Sequence, residues 1–256
     1  MKRSSKLTCV WFLGQGKTSA LALEWLVRTE PTVEVKVGAP LESCLAFAAE
    51  KERLLCVNIE NKRWADSFRG VPNIVISFLM PYHIPQFLLR RSQYGGVNFH
   101  PAPLPNYRGI NCSTFAILNN ESSFGVTCHY MSDRFDDGPI LESRPVYIDS
   151  RDTAMSLEAK SKALLLDLFC SVVSNRAWED SSASTCPHPP PGKLYTAKQF
   201  STLARIDDLR DPQIDRRIRA FWNPPRSAAY FEVNGVRYFL CPSNQFSKTC
   251  KSLIPI

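Results

Sequence analysis

Three residue types suited to acyl transfer stand in the middle of the chain. Asn98 and His100 are two residues apart, and Asp136 follows 36 residues after the histidine. Transfer of a one-carbon acyl group to an amine passes through a tetrahedral oxyanion, which a neutral amide such as Asn98 stabilises. Imidazole suits proton transfer near neutral pH, and a carboxylate can orient it or accept the amine proton through water. These residues therefore predict acyl-transfer chemistry, provided that the fold brings them together.

The immediate surroundings of these residues also allow ordinary structural roles. Asn98 lies near the end of a predicted strand at 95–99, so Asn98 and His100 face the same way if the strand continues through them. On spacing alone they also fit a strand-end hydrogen-bonding pair, and Asp136-Asp137 before Gly138 also fits a turn. A serine hydrolase would need a G-x-S-x-G elbow, which is absent, and the spacing of metal ligands is absent too.

The elements that must position this site predict an α/β fold. Short apolar strands are expected at 7–13, 33–37, 54–57, 73–78 and 95–99, with helices at 17–27 and 41–50. Such alternation indicates right-handed crossovers and a parallel sheet. Open sheets of this kind bind ligands beyond the carboxyl ends of their strands. The turn at 14–16 follows the first strand and is either a phosphate-binding turn or only a tight turn.

The later part of the chain predicts a second group of elements. A helix is expected at 113–118, capped by Asn111 or Ser113, followed by strands at 124–131 and 140–148. Asp152 or Thr153 is expected to cap a helix that runs to about residue 174.

Composition changes near residue 179 and predicts a division of the chain. We expect a catalytic domain at 1–178, a proline-rich linker at 179–192 and a short C-terminal subdomain at 193–256. In that last part a helix is expected at 211–221. Two strands at 230–233 and 236–240 are expected to form a hairpin at Asn234-Gly235.

Overall composition bounds the class of protein and its partners. The 256 residues are 44% apolar and carry a net charge of +7, which suits a globular protein with phosphate- or carboxylate-bearing partners. No run of five Lys or Arg residues occurs, which argues against nucleic acid. Nine scattered cysteines without a CxxC pair indicate a reducing compartment, and no apolar stretch is long enough for a membrane span. We therefore expect a cytoplasmic protein.

Two blocks of the sequence resemble one enzyme family. Residues 98–109, Asn-Phe-His-Pro-Ala-Pro-Leu-Pro-Asn-Tyr-Arg-Gly, resemble the signature N-x-H-P-[SA]-x-L-P-x-[YW]-x-G of the 10-formyltetrahydrofolate-dependent formyltransferases. Residues 125–130 and 136–140 match the G-V-T-x-H and D-x-G-[PD]-I element of the same family. The resemblance extends over about 7–178, and its D-x-G pattern selects Asp136 rather than Asp137 as the catalytic acid.

The resemblance implies a fold, a co-substrate and a set of site residues. The implied fold is a Rossmann-like, mostly parallel sheet with helices on both faces, plus a short C-terminal α+β appendage with a hairpin. The implied co-substrate is 10-formyltetrahydrofolate with no metal, and the implied catalytic residues are Asn98, His100 and Asp136. The Leu104–Pro105 bond is expected to be cis, and His129 is expected to pack near the folate. The expected folate contacts are Phe78, Leu79, Met80 and Tyr82 after the fourth strand and Met131, Ser132, Asp133 and Phe135 in a later loop.

The acceptor amine is expected to belong to a nucleotide-linked amino sugar of the dTDP-4-amino-4,6-dideoxyhexose type. The tail is shorter than the tRNA-binding barrel of methionyl-tRNA formyltransferases, and residues 76–85 are more similar to the sugar enzymes. For Trp222 the alternative to stacking a base is packing of the tail. The expected acceptor contacts are Gly14, Gln15 and Gly16 in the first turn, Pro103, Tyr107 and Arg108 in the proline loop, and Trp222 in the tail.

Several alternatives stay open at this point. The acceptor can be methionyl-tRNA, an amino acid, glycinamide ribonucleotide or an antibiotic precursor. Water is the acceptor in formyltetrahydrofolate hydrolases, and a folate-binding module without catalysis is a further alternative. A homodimer is compatible with the sequence, and the unusual Asp137 is expected to affect the acceptor side of the site.

Overall fold

The computed structural model of the protein describes residues 6–80, 82–180, 192–243 and 245, so most of the predicted linker, at 181–191, lies outside the described residues. The strands are β1 (Cys9–Gly14), β2 (Glu34–Ala39), β3 (Leu55–Asn58), β4 (Ile74–Phe78), β5 (Gly96–His100), β6 (Arg108–Gly109), β7 (Ser123–Tyr130), β8 (Ile140–Tyr147), β9 (Leu194–Tyr195), β10 (Tyr230–Val233) and β11 (Val236–Phe239). The helices are α1 (Gly16–Thr29), α2 (Cys44–Lys51), α3 (Gln86–Arg91), α4 (Cys112–Leu118), α5 (Ala154–Asn175), α6 (Ala197–Leu203) and α7 (Ile214–Phe221).

A seven-stranded sheet forms the centre of the molecule, in the order β3-β2-β1-β4-β5-β7-β8. The first five strands in that order run parallel, whereas β7 and β8 are antiparallel to their neighbours. The order reverses between β1 and β4, which is where open α/β sheets leave a crevice at the carboxyl ends of their strands. The predicted Rossmann-like, mostly parallel sheet is confirmed.

Alternate residues of β1 supply both faces of the sheet. Val10 and Phe12 lie in a cluster with apolar residues of α1, α2 and α5. Trp11 and Leu13 point the other way, into a second cluster that includes Trp64 from a short 3-10 turn and residues of α3. A strand buried on both faces reads as a continuous apolar run rather than an alternating one, which explains the sequence at 9–14.

Helix caps account for where the helices begin. Thr153 caps α5 as predicted, because its side chain accepts a hydrogen bond from the Ser156 backbone N–H in a reciprocal capping box. Ser43 caps α2, so that helix starts at Cys44, later than predicted. Asn111 precedes α4 in a left-handed conformation, and its side chain makes no capping bond.

The C-terminal part packs onto the first part through a third apolar cluster. Tyr195 and Phe221 lie there together with Phe115 of α4 and Leu157 of α5. In addition, β9 pairs in parallel with β6, a pairing that the sequence did not predict. The hairpin β10–β11 is confirmed, with Asn234 and Gly235 at its turn. No helix within the described ranges is long and apolar enough to cross a membrane.

Candidate active site

The end of β5 brings the predicted amide and imidazole to one side of the sheet. Asn98 pairs with His129 of β7 across the antiparallel ladder, and His100 pairs with Thr127. Asn98 Nδ2 lies 3.3 Å from Asp136 Oδ1, and His100 Nδ1 lies 3.5 Å from the same oxygen. The structure thus places Asn98, His100 and Asp136 together, as the sequence predicted.

Hydrogen bonds on both sides fix the orientation of the Asn98 amide. The Ser77 hydroxyl of β4 donates to Asn98 Oδ1 over 2.7 Å. Asn98 Nδ2 lies 3.0 Å from His129 Nε2, in addition to its contact with Asp136. The amide therefore presents its nitrogen, and not its oxygen, towards Asp136.

The protonation of His129 follows from its partners and its burial. Its Nδ1 lies 2.8 Å from the backbone oxygen of Tyr130, which can only accept, so Nδ1 carries the hydrogen. Burial is the main cause that lowers the pKa of His129 to about 4, and the nearby Asp136 only partly offsets it. At neutral pH the ring is uncharged, and Nε2 accepts the hydrogen bond from Asn98. Sequence reasoning expected only packing from His129, although the G-V-T-x-H block contained it.

The ring of His100 is anchored by its other nitrogen. His100 Nε2 donates to the backbone oxygen of Tyr107 over 2.7 Å, and the residue is almost fully buried. Because that carbonyl can only accept, Nε2 keeps its hydrogen, and Nδ1 is the nitrogen that faces Asp136. Nδ1 is thus the atom of His100 that can exchange a proton with a bound molecule.

Asp136 reaches the site from the loop after β7, in a left-handed conformation with φ of +50°. Aspartate tolerates this conformation better than most residues. Its Oδ2 accepts a hydrogen bond from the Gly109 backbone N–H over 2.8 Å, while Oδ1 faces Asn98 and His100. The Arg108 guanidinium donates to the Phe135 backbone oxygen over 2.7 and 3.2 Å, which ties the same loop down. Asp137 points away, to within 3.7 Å of Arg134.

The strand β9 supports the backbone at 107–109, whose Tyr107 carbonyl binds His100 and whose Gly109 N–H binds Asp136. Arg108 N–H donates to Lys193 O, and Ile110 N–H donates to Tyr195 O. A methyl group in place of the Gly109 hydrogen would come within 2.2 Å of Tyr195 O, so the two backbones touch. Gly109 also adopts φ of +92°, which only glycine adopts without strain. The tail is therefore part of the support for Asp136.

A cleft of about 1000 Å³ opens at this point, along the carboxyl ends of β1, β4 and β5. That volume is at the upper end of the range typical of small-molecule sites. Eleven of the predicted site residues line it. They are Gln15, Gly16, Leu79, Met80, Tyr82, Asn98, His100, Met131, Ser132, Phe135 and Asp136.

The other predicted site residues do not line the cleft. Phe78 is fully buried and stacks on Phe99, and Gly14 packs directly on the backbone of β4. Asp133 is exposed and is not among the residues that line the cleft. The residue type of Phe78 suited a ligand contact, but the type of an aromatic residue at the end of a strand does not show whether its side chain is buried.

The predicted acceptor contacts in the proline loop and the tail are also displaced from the cleft. The Tyr107 side chain is buried, stacks on Tyr195 and donates to Glu121 over 2.8 Å. Trp222 is buried in the tail, as the alternative of packing predicted, and Pro103 is partly buried within the proline loop. None of these side chains lines the cleft, and Arg108 does not line it either, because its guanidinium holds the loop of Asp136. The Leu104–Pro105 bond is cis, as predicted.

Comparisons with known proteins agree with this geometry. The formyl transferase family profile matches residues 60–173. GDP-perosamine N-formyltransferase of Brucella melitensis biotype 1 is 31% identical over 189 residues, which are 72% of this chain and 70% of that protein.

Solved structures show the same fold. A 4-N formyltransferase from Francisella tularensis superposes with a TM-score of 0.77 at 20% identity, covering 91% of this chain and 96% of that one. An N-formyltransferase from Helicobacter canadensis, solved with folinic acid and dTDP-3-aminofucose, superposes with a TM-score of 0.72 at 18% identity, covering 90% and 86%. Because the chain is similar in sequence to the Brucella protein over more than two thirds of both chains, it belongs to the folate-dependent formyltransferase family and is a formyl-transferring enzyme.

Proposed function

We propose that this enzyme transfers the formyl group of 10-formyltetrahydrofolate to the primary amine of a sugar that is linked to a nucleoside diphosphate. The observation that carries this proposal is that Asn98 Nδ2 and His100 Nδ1 each lie within 3.5 Å of Asp136 Oδ1 in a large cleft. The relatives support the acceptor class, because the Brucella protein formylates GDP-perosamine and the Helicobacter protein was solved with dTDP-3-aminofucose.

The reaction balances without another reactant. A bond forms between the acceptor nitrogen and the formyl carbon, and the bond between that carbon and N10 of the folate breaks. The proton that leaves the attacking nitrogen must finally reside on N10. The site must therefore stabilise a transient oxyanion and move one proton between two nitrogens.

Asn98 and His100 are placed to stabilise the oxyanion. One hydrogen of Asn98 Nδ2 is held by His129, and the other points over a long 3.3 Å contact at Asp136, so a better-aligned oxyanion can take it. Protonated His100 presents Nδ1–H on the same side, because its Nε2–H is occupied by the Tyr107 carbonyl. Both donors are fixed before the substrate arrives, which makes them effective.

Asp136 lies beside the His100 ring and is placed to help remove the proton of the amine. Its Oδ1 faces the His100 ring, and its Oδ2 is anchored by the Gly109 N–H. Water can carry the amine proton from the acceptor to Asp136 and on to N10.

The folate is proposed to bind on the β4 side of the cleft. Leu79, Met80 and Met131 supply apolar contacts there, and Ser132 and Phe135 belong to the loop that carries Asp136. Backbone groups of that loop, at 131–136, are proposed to pair with the edge of the pterin ring.

The test is an acceptor screen with 10-formyltetrahydrofolate, in which release of tetrahydrofolate is followed over time. We expect release to depend on a nucleoside-diphosphate-linked amino sugar. The matched control is the same nucleotide sugar with a hydroxyl in place of the amine, which should give no release. His100→Ala provides the background rate.

Other outcomes would point to other activities. Release that needs no amine would show a hydrolase and contradict the proposal. Formylation of methionyl-tRNA or of a free amino acid in preference to the sugar would keep the reaction and replace the acceptor.

A further inference from the structure

The wall of the cleft that α5 and the loop after α7 form carries a charged cluster that the chemistry above does not use. Lys162 and Glu158 lie on successive turns of α5, and Arg226 comes from the loop between α7 and β10. All three line the same cleft as Asn98 and Asp136. Among the described residues that line it, the cations of Lys and Arg are Lys162, Arg226 and Arg134, the last of which lies on the loop that carries Asp136.

The carboxylate of Glu158 holds both cations in place. Its Oε1 contacts Lys162 Nζ, and its Oε2 accepts hydrogen bonds from Arg226 Nη2 over 2.8 Å and from Asn223 Nδ2 over 2.7 Å. Burial opposes the ionisation of Glu158, but the bonds from Lys162 and Arg226 outweigh it and lower its pKa below the ordinary value. The carboxylate is therefore ionised at neutral pH, and the two cations are fixed to it.

The cluster keeps a net positive charge and free donors. Two cations and one carboxylate sum to +1, and an ammonium with a guanidinium offers more N–H donors than one carboxylate can accept. Only 19% of the Glu158 side chain is exposed, whereas 60% of the Arg226 side chain and 30% of that of Lys162 are exposed. The positive groups are therefore more accessible to a ligand than the negative group is.

A diphosphate suits this arrangement better than a carboxylate or a neutral ligand would. It carries more than one negative charge and several acceptor oxygens, and Arg and Lys are the usual partners of phosphate oxygens. Its attraction to the cluster is strengthened because the cations are already positioned and lose little side-chain freedom on binding.

Resting on the proposed function, we infer that Lys162 and Arg226 form the binding site for the diphosphate of the acceptor, held in position by Glu158. The sugar then extends from this wall towards Asp136, and the nucleoside extends away from it. The opposing explanation is that the cluster only ties α5 to the tail.

The experiment measures the binding of UDP, GDP and dTDP by calorimetry, together with the steady-state kinetics of the amino-sugar reaction. The variants are Lys162→Ala and Arg226→Ala, and the control is Lys198→Ala, an exposed cation of α6 that does not line the cleft. Thermal unfolding of each variant checks the structural explanation.

We expect each cleft variant to weaken the preferred nucleoside diphosphate by about tenfold and to raise KM for the nucleotide sugar by a similar factor. kcat and KM for 10-formyltetrahydrofolate should stay within about twofold, and Lys198→Ala should match the wild type. Arg226→Lys should recover part of the affinity, because it restores the charge but not the planar fork.

Two results would overturn the inference. If the wild type formylates a nucleotide-linked amino sugar while both variants keep its KM, the proposed function stands and this diphosphate site is wrong. If the wild type binds none of the three nucleoside diphosphates, the acceptor class and the site fail together.

Discussion

The sheet side and the tail side of the cleft hold their charged groups in different ways. On the sheet side, the side chains of Asp136, His100 and His129 are 10%, 7% and 2% exposed, and each polar atom discussed above has a fixed partner. On the tail side, 60% of the Arg226 side chain and 30% of the Lys162 side chain are exposed, and both cations contact the carboxylate of Glu158. Buried and fully bonded groups keep one geometry, which suits a reaction, whereas exposed cations can attract a substrate and let the product leave.

The difference predicts that substitutions on the sheet side act on kcat. His100→Ala and Asp136→Asn should each lower kcat by at least about a hundredfold, because both remove a group used in proton transfer or charge stabilisation. Steady-state kinetics with both substrates measures this effect. Asp137→Asn is the matched control on the same loop and should keep most of the activity. Near-normal rates in both main variants would remove the mechanism.

Gly109→Ala tests whether the tail reaches the sheet side through β9. The added methyl group would meet Tyr195 O and displace the N–H that binds Asp136. We expect kcat to fall by about tenfold or more, consistent with a displaced catalytic group. Gly95→Ala is the control, because Gly95 also has a positive φ but nothing within 4 Å of the added group. Equal losses in the two variants would show backbone strain alone.

The buried, neutral His129 predicts a dependence of stability on pH. Its pKa lies near 4 in the folded state and near 6.5 when unfolded, so on acidification the unfolded chain takes up the proton first. The contribution of His129 to the free energy of unfolding is therefore fully present above about pH 6.5. It is lost as the pH falls towards 4, by at most about 1.4 kcal/mol per pH unit.

Denaturant unfolding between pH 7 and pH 5 measures this loss. His129→Asn should lose less stability over that interval than the wild type, and His83→Asn, a change at an exposed histidine, should not differ from the wild type. An identical pH dependence in the His129 variant would contradict the inferred neutral ring.

The smallest effect is expected at the hairpin β10–β11, because none of its residues lines the cleft. Phe239 is 66% exposed, so Phe239→Ser should change the free energy of unfolding by no more than about 0.5 kcal/mol and leave kcat unchanged. Denaturant titration and kinetics check both. A larger loss of stability would mean that this face is covered in the assembled protein.

Local sequence patterns predicted much of this structure and the centre of its site. The apolar runs predicted the strands β1 to β5, and Asn234-Gly235 predicted the hairpin. Each of these signals is contained in a few neighbouring residues, so the sequence alone shows it. The two family blocks predicted that Asn98 and Asp136 act together, whereas the antiparallel pairing of β7 with β5 was not predicted.

What the sequence did not predict depends on distant parts of the chain. The pairing of β6 with β9 involves two residues on each side, too few for any periodicity. Helix α3 is only six residues long, which left a weak pattern. The charged cluster joins residues 158, 162 and 226, and only the packing of the tail on α5 places them together. Phe78 and Trp222 were expected to contact ligands, but both are buried. An aromatic residue type suits either role, so the sequence alone does not show whether the side chain is buried.

The pairing of Arg108–Gly109 with Leu194–Tyr195 has a consequence for the order of assembly during synthesis. The ribosome must add 86 residues after Arg108 before Leu194 exists. The sheet can form earlier, because its last strand ends at Tyr147. We expect a nascent chain that already carries the whole sheet to remain inactive until β9 has emerged, so that formyl transfer begins only after Tyr195 has been synthesised.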